Sequence, residues 1–167
     1  GSRSALPHGM ATGKPLAKGD WVTVDYGARV DGYVSDITRN FAIGEPPSGV
    51  REIEDVLLRA HEAAAGAIRA GVSGREVDLV ARKIIQEAGY GEHFIHGLGH
   101  AIGLEVHESP RLSPISADIL QEGDVVTVEP GIYIEGFGGL RIEDDYLVTA
   151  SGPVLLTEHF DRRLSVL

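Results

Sequence analysis

The hydrophobic pattern along this chain resolves into strands, then helices, then strands again. Residues 21–26 and 33–42 read as two strands, and Arg29-Val30-Asp31-Gly32 lies between them. Asp-Gly is a strong hairpin signal. A two-residue turn at Asp31-Gly32 and a four-residue loop over 29–32 give the same parity, so Asp25 and Asp36 fall on one face of the pair in either case. Over 50–70, Ile53, Leu57, Ala60, Ala64 and Ala67 make a helical apolar stripe that ends at Gly71. Over 74–88, Val77, Val80, Ile84 and Ala88 make a second. Ser73 and Glu76 before it form a capping-box pattern, and Gly89 closes it. Residues 93–107 are glycine-rich and strand-like with interleaved histidines. Residues 109–118, with two prolines, read as a loop with at most a helical turn. Residues 124–135 and 140–149 read as a second hairpin across Gly136-Phe137-Gly138-Gly139, with Glu129 facing Glu143. The resulting order, β-β-α-α-β-β-β, is an α+β pattern in which helices are segregated from an antiparallel sheet.

The two hairpins open on the same phrase. Gly19-Asp-Trp-Val-Thr-Val-Asp25-Tyr-Gly27 and Gly123-Asp-Val-Val-Thr-Val-Glu129-Pro-Gly131 are identical at six of nine positions, with a carboxylate seventh in both. Each copy is followed by a further acid, Asp36 and Glu143. Between the copies runs His96-Gly-Leu-Gly-His100, and then His107. A single acid at a strand end is ordinarily a cap or turn residue. Like charges facing each other across paired strands destabilise a sheet, so two such pairs need a cation or raised pKa values. Four carboxylates and an imidazole on a duplicated scaffold point to a site for two divalent metal ions. Such a pair clamps a water, lowers its pKa and polarises a scissile carbonyl, and a glutamate of the set would take the proton. The donor types suit Mn²⁺, Co²⁺, Fe²⁺ or Zn²⁺. His61, His93 and His159 read as ordinary histidines, and Asp20, Asp31 and Asp124 as turn acids. Asp144 and Asp145 are expected to hydrogen-bond a neighbour.

Composition narrows the class. The 167 residues suffice for one domain with a core, and 43% hydrophobic with 24% charged content is globular. A net charge of −10 argues against a general nucleic-acid binder. The absence of cysteine excludes disulfides and thiolate zinc sites. No apolar run approaches the roughly 20 residues of a membrane span, so no membrane partner is expected. The first motif copy has only eighteen residues before it, whereas the second follows two helices and a His-rich strand. The chain therefore reads as the C-terminal portion of a longer protein, most of a catalytic domain over 1–167, with N-terminal helices and any N-terminal domain absent. Val22, Val24 and Ile37 are then expected to lie bare where those helices would pack, favouring a separate N-terminal part or self-association.

These residues resemble the pita-bread metallopeptidases: methionine aminopeptidases, Xaa-Pro aminopeptidases and Xaa-Pro dipeptidases. Four segments carry the resemblance. They are Val24-Asp25-Tyr-Gly-Ala; Ser35-Asp36-Ile-Thr-Arg39; His96-Gly-Leu-Gly-His100-Ala-Ile-Gly-Leu-Glu-Val-His107-Glu; and Val128-Glu129-Pro-Gly with Leu140-Arg141-Ile-Glu143-Asp-Asp. The resemblance implies a pseudo-twofold duplicated antiparallel sheet with helices on its outer face. It implies Asp25, Asp36, His100, Glu129 and Glu143 as ligands of two metal ions, Mn²⁺ first, with Co²⁺, Zn²⁺ or Fe²⁺ as alternatives. Asp36 and Glu143 would bridge them, and Glu129 would also be the general base. His8, His96 and His107 match substrate-side histidines that bind the peptide and stabilise the tetrahedral intermediate. Arg141 matches an arginine behind the bridging glutamate, and Tyr133 a nearby tyrosine.

Within the family, the short spacing from Glu129 to Glu143 and the phrases Asp-Ile-Thr-Arg and Arg-Ile-Glu-Asp-Asp look like the proline-specific branch. The implied activity is hydrolysis of an N-terminal Xaa-Pro bond by a metal-bridging hydroxide. The substrate would be a peptide with proline second, and the protein a cytoplasmic homo-oligomer. A methionine aminopeptidase and a non-catalytic pita-bread binding module are the alternatives. The latter class is marked by lost ligands, and none is lost here.

Overall fold

A computed structural model describes residues 1–167. The strands are β1 (Trp21–Tyr26), β2 (Arg29–Val30), β3 (Tyr33–Val34), β4 (Ile37–Ala42), β5 (Gly99–Ala101), β6 (Glu108–Leu112), β7 (Val125–Val128), β8 (Gly131–Ile134), β9 (Gly138–Arg141), β10 (Asp144–Thr149), β11 (Gly152–Leu155) and β12 (Ser165–Val166). The helices are α1 (Val50–Ala67) and α2 (Gly74–Glu87). One sheet has the order β1-β4-β12 and a second β11-β10-β7-β5-β6; β2-β3 and β8-β9 are two-stranded extensions.

The first hairpin turns at Asp31-Gly32, with Val30 opposite Tyr33. Both turn residues have positive φ, 51° and 92°, as the tight turn that matches strand twist requires. The strand expected over 33–42 is interrupted at Ser35-Asp36. The register is the same on both sides of the interruption, and at Gly27 the backbones come so close that a Cβ there would stand 2.0 Å from the Ser35 carbonyl oxygen. Asp36 is opposite Gly27 at a non-hydrogen-bonded position, so its amide points out of the hairpin, onto Asp145 Oδ2 at 3.1 Å. Beyond the break, Asp25 is opposite Thr38.

The second hairpin is broken at the same place. Val128 pairs with Asp144 on one side of the gap and Gly131 with Arg141 on the other, so Glu129 and Glu143 face each other within it. Its turn is Glu135–Phe137 rather than 136–139, and Gly138 and Gly139 belong to β9. The two hairpins meet where Thr38 bridges Glu143, the Glu143 amide donating to Thr38 O at 3.3 Å.

The helices lie against each other and α1 also packs on β7, β8, β9 and β11. On α1 the expected stripe is buried except for half-buried Ala67. On α2 the inward face is rotated by about one residue: Val77, Asp78, Ala81 and Ile85 are buried, and Val80, Ile84 and Ala88 only half so. The rotation brings a carboxylate, Asp78, inside. The Ser73–Glu76 capping box forms as expected. Of the His-rich segment only Gly99–Ala101 is strand, and the expected loop over 109–118 begins with the end of β6, which contains a cis Ser109–Pro110 bond. Of the three side chains expected to lie bare, Ile37 is buried, Val22 half-buried and Val24 37% exposed. No helix is long and apolar enough to cross a membrane.

Candidate metal centre

The gaps in the two hairpins face each other across the Thr38–Glu143 bridge, and there the acids gather. Ligand atoms of Asp36, His100 and Glu143 all lie within 4.8 Å of one another. Glu129 joins them, with Oε1 3.3 Å from His100 Nε2. Asp25, half-exposed at the rim, stands near enough to Asp36 to push its carboxyl up, and receives Arg141 Nη2 on Oδ2 at 2.6 Å. The five residues expected as ligands are thus linked in one cluster, two acids from each repeat and His100 from β5.

The tautomer of His100 follows from its partners. Nδ1 is 3.1 Å from the Ala101 carbonyl, which only accepts, so Nδ1 carries the proton and the Nε2 lone pair faces the acids. Burial holds His100 down to about 4, keeping it neutral and able to ligate. The carboxyls are shifted the other way. Burial raises Glu129 to about 8, against the pull of Arg141 and with help from Asp36 and Asp25. Burial, then Asp25, raises Asp36 to about 6. Glu143 is raised well above its ordinary value by burial and by Glu129 and Asp36. Acids gathered this closely retain protons unless a cation replaces them.

The residues expected on the substrate side divide into two groups. His96 Nδ1 faces the Gly97 carbonyl at 2.7 Å and so carries its proton there, leaving Nε2 to accept from the Tyr133 hydroxyl at 2.9 Å. Arg141 Nη1 donates to the same hydroxyl at 3.1 Å, Nε to Thr38 Oγ1 at 3.0 Å, and Thr38 in turn donates to Glu143 Oε2 at 2.5 Å. Burial lowers His96 to about 4. His107 and His8 are not in this chain of bonds. The His107 ring sits edge-on to His100 at 4.4 Å. His8 is exposed in a cavity of about 740 Å³ that also reaches Asp25, Tyr133 and Arg141.

Other residues behind the cluster carry no motif that sequence reasoning singled out for this role. Buried Arg39 donates to the Thr38 and Glu143 carbonyls at 2.9 and 2.6 Å and to Asp144 Oδ1 at 2.5 Å. Asp144 lies far below the usual carboxylate range: burial would raise it, but His61, Arg162 and Thr157 outweigh that. His61 is therefore not an isolated helix-face histidine. It is buried, its Nε2 3.2 Å from Asp144 Oδ2. Asp145, holding the Asp36 amide, is raised by burial to about 7, and its Oδ1 has no hydrogen-bond partner. Asp36-Ile-Thr-Arg39 and Glu143-Asp-Asp145 are visible in the sequence as phrases. That their side chains interlock is not, because the partners lie more than 100 residues apart.

Oxygen donors with one neutral imidazole and no thiolate fit divalent cations of the Mn²⁺ to Zn²⁺ range, and the raised carboxyls mark the place where positive charge is missing. A duplicated antiparallel sheet carrying such a cluster at its centre, with helices outside, is the pita-bread architecture of metal-dependent peptidases. The chain belongs to the metallopeptidase family M24, whose model matches residues 1–150. It is 49% identical over 158 residues to the Xaa-Pro dipeptidase of Pyrococcus furiosus, a match covering 95% of this chain and 45% of that protein. Among solved structures, the Xaa-Pro dipeptidase from Bacillus anthracis superposes with a TM-score of 0.96 at 50% identity, covering 99% of this chain and 46% of that one. The X-Pro aminopeptidase from Thermotoga maritima MSB8 gives 0.96 at 48% identity, covering 99% and 47%. The chain thus spans about half the length of the relatives it matches.

Proposed function

We propose that this chain is the catalytic portion of a metal-dependent exopeptidase that hydrolyses the N-terminal Xaa-Pro bond of short peptides, and that it works as part of a longer, self-associating protein. Asp25, Asp36, His100, Glu129 and Glu143 would hold two divalent cations in this reading. The observation that carries it is the convergence of acids from both repeats with a neutral imidazole whose free nitrogen points at them. Relatives named Xaa-Pro dipeptidase and X-Pro aminopeptidase support the proline preference.

Bound there, paired cations would acidify a shared water and polarise the scissile carbonyl. The chain's own residues do the rest. Glu129 takes the proton of the attacking water: its Oε1 lies at the cluster, 3.3 Å from His100 Nε2, and Thr127 Oγ1 is 3.4 Å from it. His107 stands beside His100 and His8 lines the cavity, and in this reading both meet the peptide rather than a metal. Arg141 fixes Asp25, Tyr133 and, through Thr38, Glu143, so that the ligands on both repeats are set by one guanidinium.

Hydrolysis of Xaa-Pro dipeptides and Xaa-Pro-Xaa tripeptides tests the reading, with Mn²⁺, Co²⁺ and Zn²⁺ each added to metal-free protein. This chain and the longest available form of the protein are compared. Cleavage confined to the Xaa-Pro bond and restored by metal is expected. Cleavage of Met-Ala-Xaa peptides with Xaa-Pro untouched would overturn the proline preference. Failure of every metal to restore any cleavage in the longer form would overturn the hydrolytic reading.

A further inference from the structure

The segment carrying His96 leads into β5 and His100, yet only its last carbonyl, that of Leu98, is held by the neighbouring strand region, accepting the Glu129 amide at 2.8 Å. No strand forms between Phe94 and Leu98, so its backbone groups need partners from elsewhere. One pair of side chains on α2 supplies three of them. Asp78 is fully buried, and its Oδ1 accepts the Leu98 amide at 3.0 Å. Arg82 forks onto the same carboxylate, Nε to Oδ2 at 2.8 Å and Nη2 to Oδ1 at 2.9 Å. The same guanidinium then reaches across the segment, Nη1 donating to Phe94 O at 3.0 Å and Nη2 to His96 O at 2.8 Å. It also lies 4.3 Å from the centre of the Phe94 ring, and that ring packs edge-on against His96 at 5.2 Å.

An Asp–Arg pair one turn apart on a helix is commonly a solvated surface contact worth a few tenths of a kcal/mol. This pair differs in two respects. Its acid is wholly buried, and its guanidinium spends N–H groups on two carbonyls of a different segment. Four contacts, on Phe94, His96 and Leu98, fix where the backbone of His96 runs, and the direction of its ring follows. The ring's bond to Tyr133, and Tyr133's bond to Arg141, then depend on that direction.

We propose that Asp78 and Arg82 are positioning residues: together they clamp the Phe94–Leu98 backbone, orient the His96 imidazole and set the approach of His100 to the acids. Their significance for catalysis rests on the function proposed above; the clamp does not. Lysine cannot replace the arginine, because one ammonium lacks the planar fork that serves a carboxylate and two carbonyls at once.

The test uses the metal-free chain with ¹⁵N-labelled histidine, so it is independent of whether metal binds or peptide is cleaved. In the parent, His96 should give the signals of a neutral ring protonated at Nδ1. In Arg82→Met and Arg82→Lys these should move toward a mixture of tautomers. Lys83→Met, an exposed change on the same helix, should leave them alone. Mn²⁺ titration of the same samples should show affinity about 10–100-fold weaker in the two Arg82 variants, the range found when a residue behind a ligand is lost. Folded Arg82→Lys with parent-like His96 signals would overturn the proposal, as would Mn²⁺ affinity unchanged in both variants while the parent binds. If neither variant folds, amide exchange in the unsubstituted chain decides. A Leu98 amide at least about tenfold slower than the free-peptide rate supports the clamp, and exchange at that rate overturns it. A parent that binds no Mn²⁺ at all would refute the metal reading but leave the His96 comparison standing.

Discussion

Glu129 is asked to do two things, to ligate and to accept a proton, and a single substitution separates them. Glu129→Gln keeps the shape and one ligating oxygen but cannot act as a base. Turnover of an Xaa-Pro substrate should fall about 10²–10⁴-fold, with metal content measured on the same sample; near-parent kcat with both metals retained would show that another group takes the proton, His107 being the first to examine. Thr38 makes a second prediction at this scale. Its hydroxyl accepts from Arg141 and donates to Glu143 in a fully buried place. Thr38→Val should therefore cost about 1–3 kcal/mol in a denaturant titration, the penalty of stranding buried polar groups, whereas a loss under about 0.5 kcal/mol would show that the pair re-forms without it. The difference between these residues is also the difference in what the sequence reveals. Asp25 and Glu129 stand out because a repeat places them at matching points, and Asp36 and Glu143 because each follows a copy and strand parity puts each pair on one face. Thr38, Arg39, Asp78, Arg82 and Asp145 stand in no repeated position. Their roles depend on groups that only the tertiary fold brings near.

At the scale of elements, periodicity succeeds where one face of an element is buried against one partner. It finds both helices, the Ser73–Glu76 cap and both hairpins. It fails on β6 because prolines mimic a loop signal, while Pro110 here is buried within a strand whose neighbour β5 is irregular, with a register shift between His100 and Ala101. It misplaces the inner face of α2 because Asp78 and Arg82 read as surface charge, yet Asp78 is turned inward to serve the His-rich segment. The glycines of that segment carry no more than a composition signal in the sequence, but Gly99 is needed for its size. A Cβ there would stand 2.2 Å from the Thr127 carbonyl oxygen and 2.7 Å from its hydroxyl oxygen. Close approach of β5 to β7 is what lets the His100 amide reach Thr127 Oγ1 at 3.1 Å and brings His100 beside Glu129. Gly99→Ala should push the strands apart, costing about 1–3 kcal/mol as overpacking does, and weaken Mn²⁺ binding as well. The checks are a denaturant titration and a metal titration. A parent-like result in both would mean that β5 relaxes freely, and the close approach would then have no bearing on the site.

For the whole molecule, the pseudo-twofold arrangement concentrates negative charge at the junction of the two repeats. That charge makes stability depend on metal and on pH together. In the metal-free chain, Glu129 and Asp145 bind protons more tightly when folded, at about 8 and about 7, than their ordinary values of 4.5 and 3.8. Groups raised in this way cost nothing while protonated in both states, and they penalise the fold increasingly as pH rises through the folded value. His96 and His100 act oppositely. With folded values near 4 against an ordinary 6.5, they make stability rise with pH over that lower window and contribute no slope above it. Between about pH 6.5 and 8 the histidines add no slope and only the Gly1 amine, lowered by burial, opposes the several raised carboxyls, so metal-free protein should lose melting temperature across that range. Cations that compensate the ionised acids should abolish the fall and raise the curve. At about 100 times the dissociation constant, binding adds about 2.7 kcal/mol, which for a chain of this size is about 5–10 °C. Thermal melts at pH 6.5, 7.25 and 8, with EDTA and with excess Mn²⁺, give both quantities in one series. Parallel curves for the two conditions would mean that the acids are already balanced by Arg141 and Arg39 without a metal, and the junction would then be an ion-pair network rather than a metal centre.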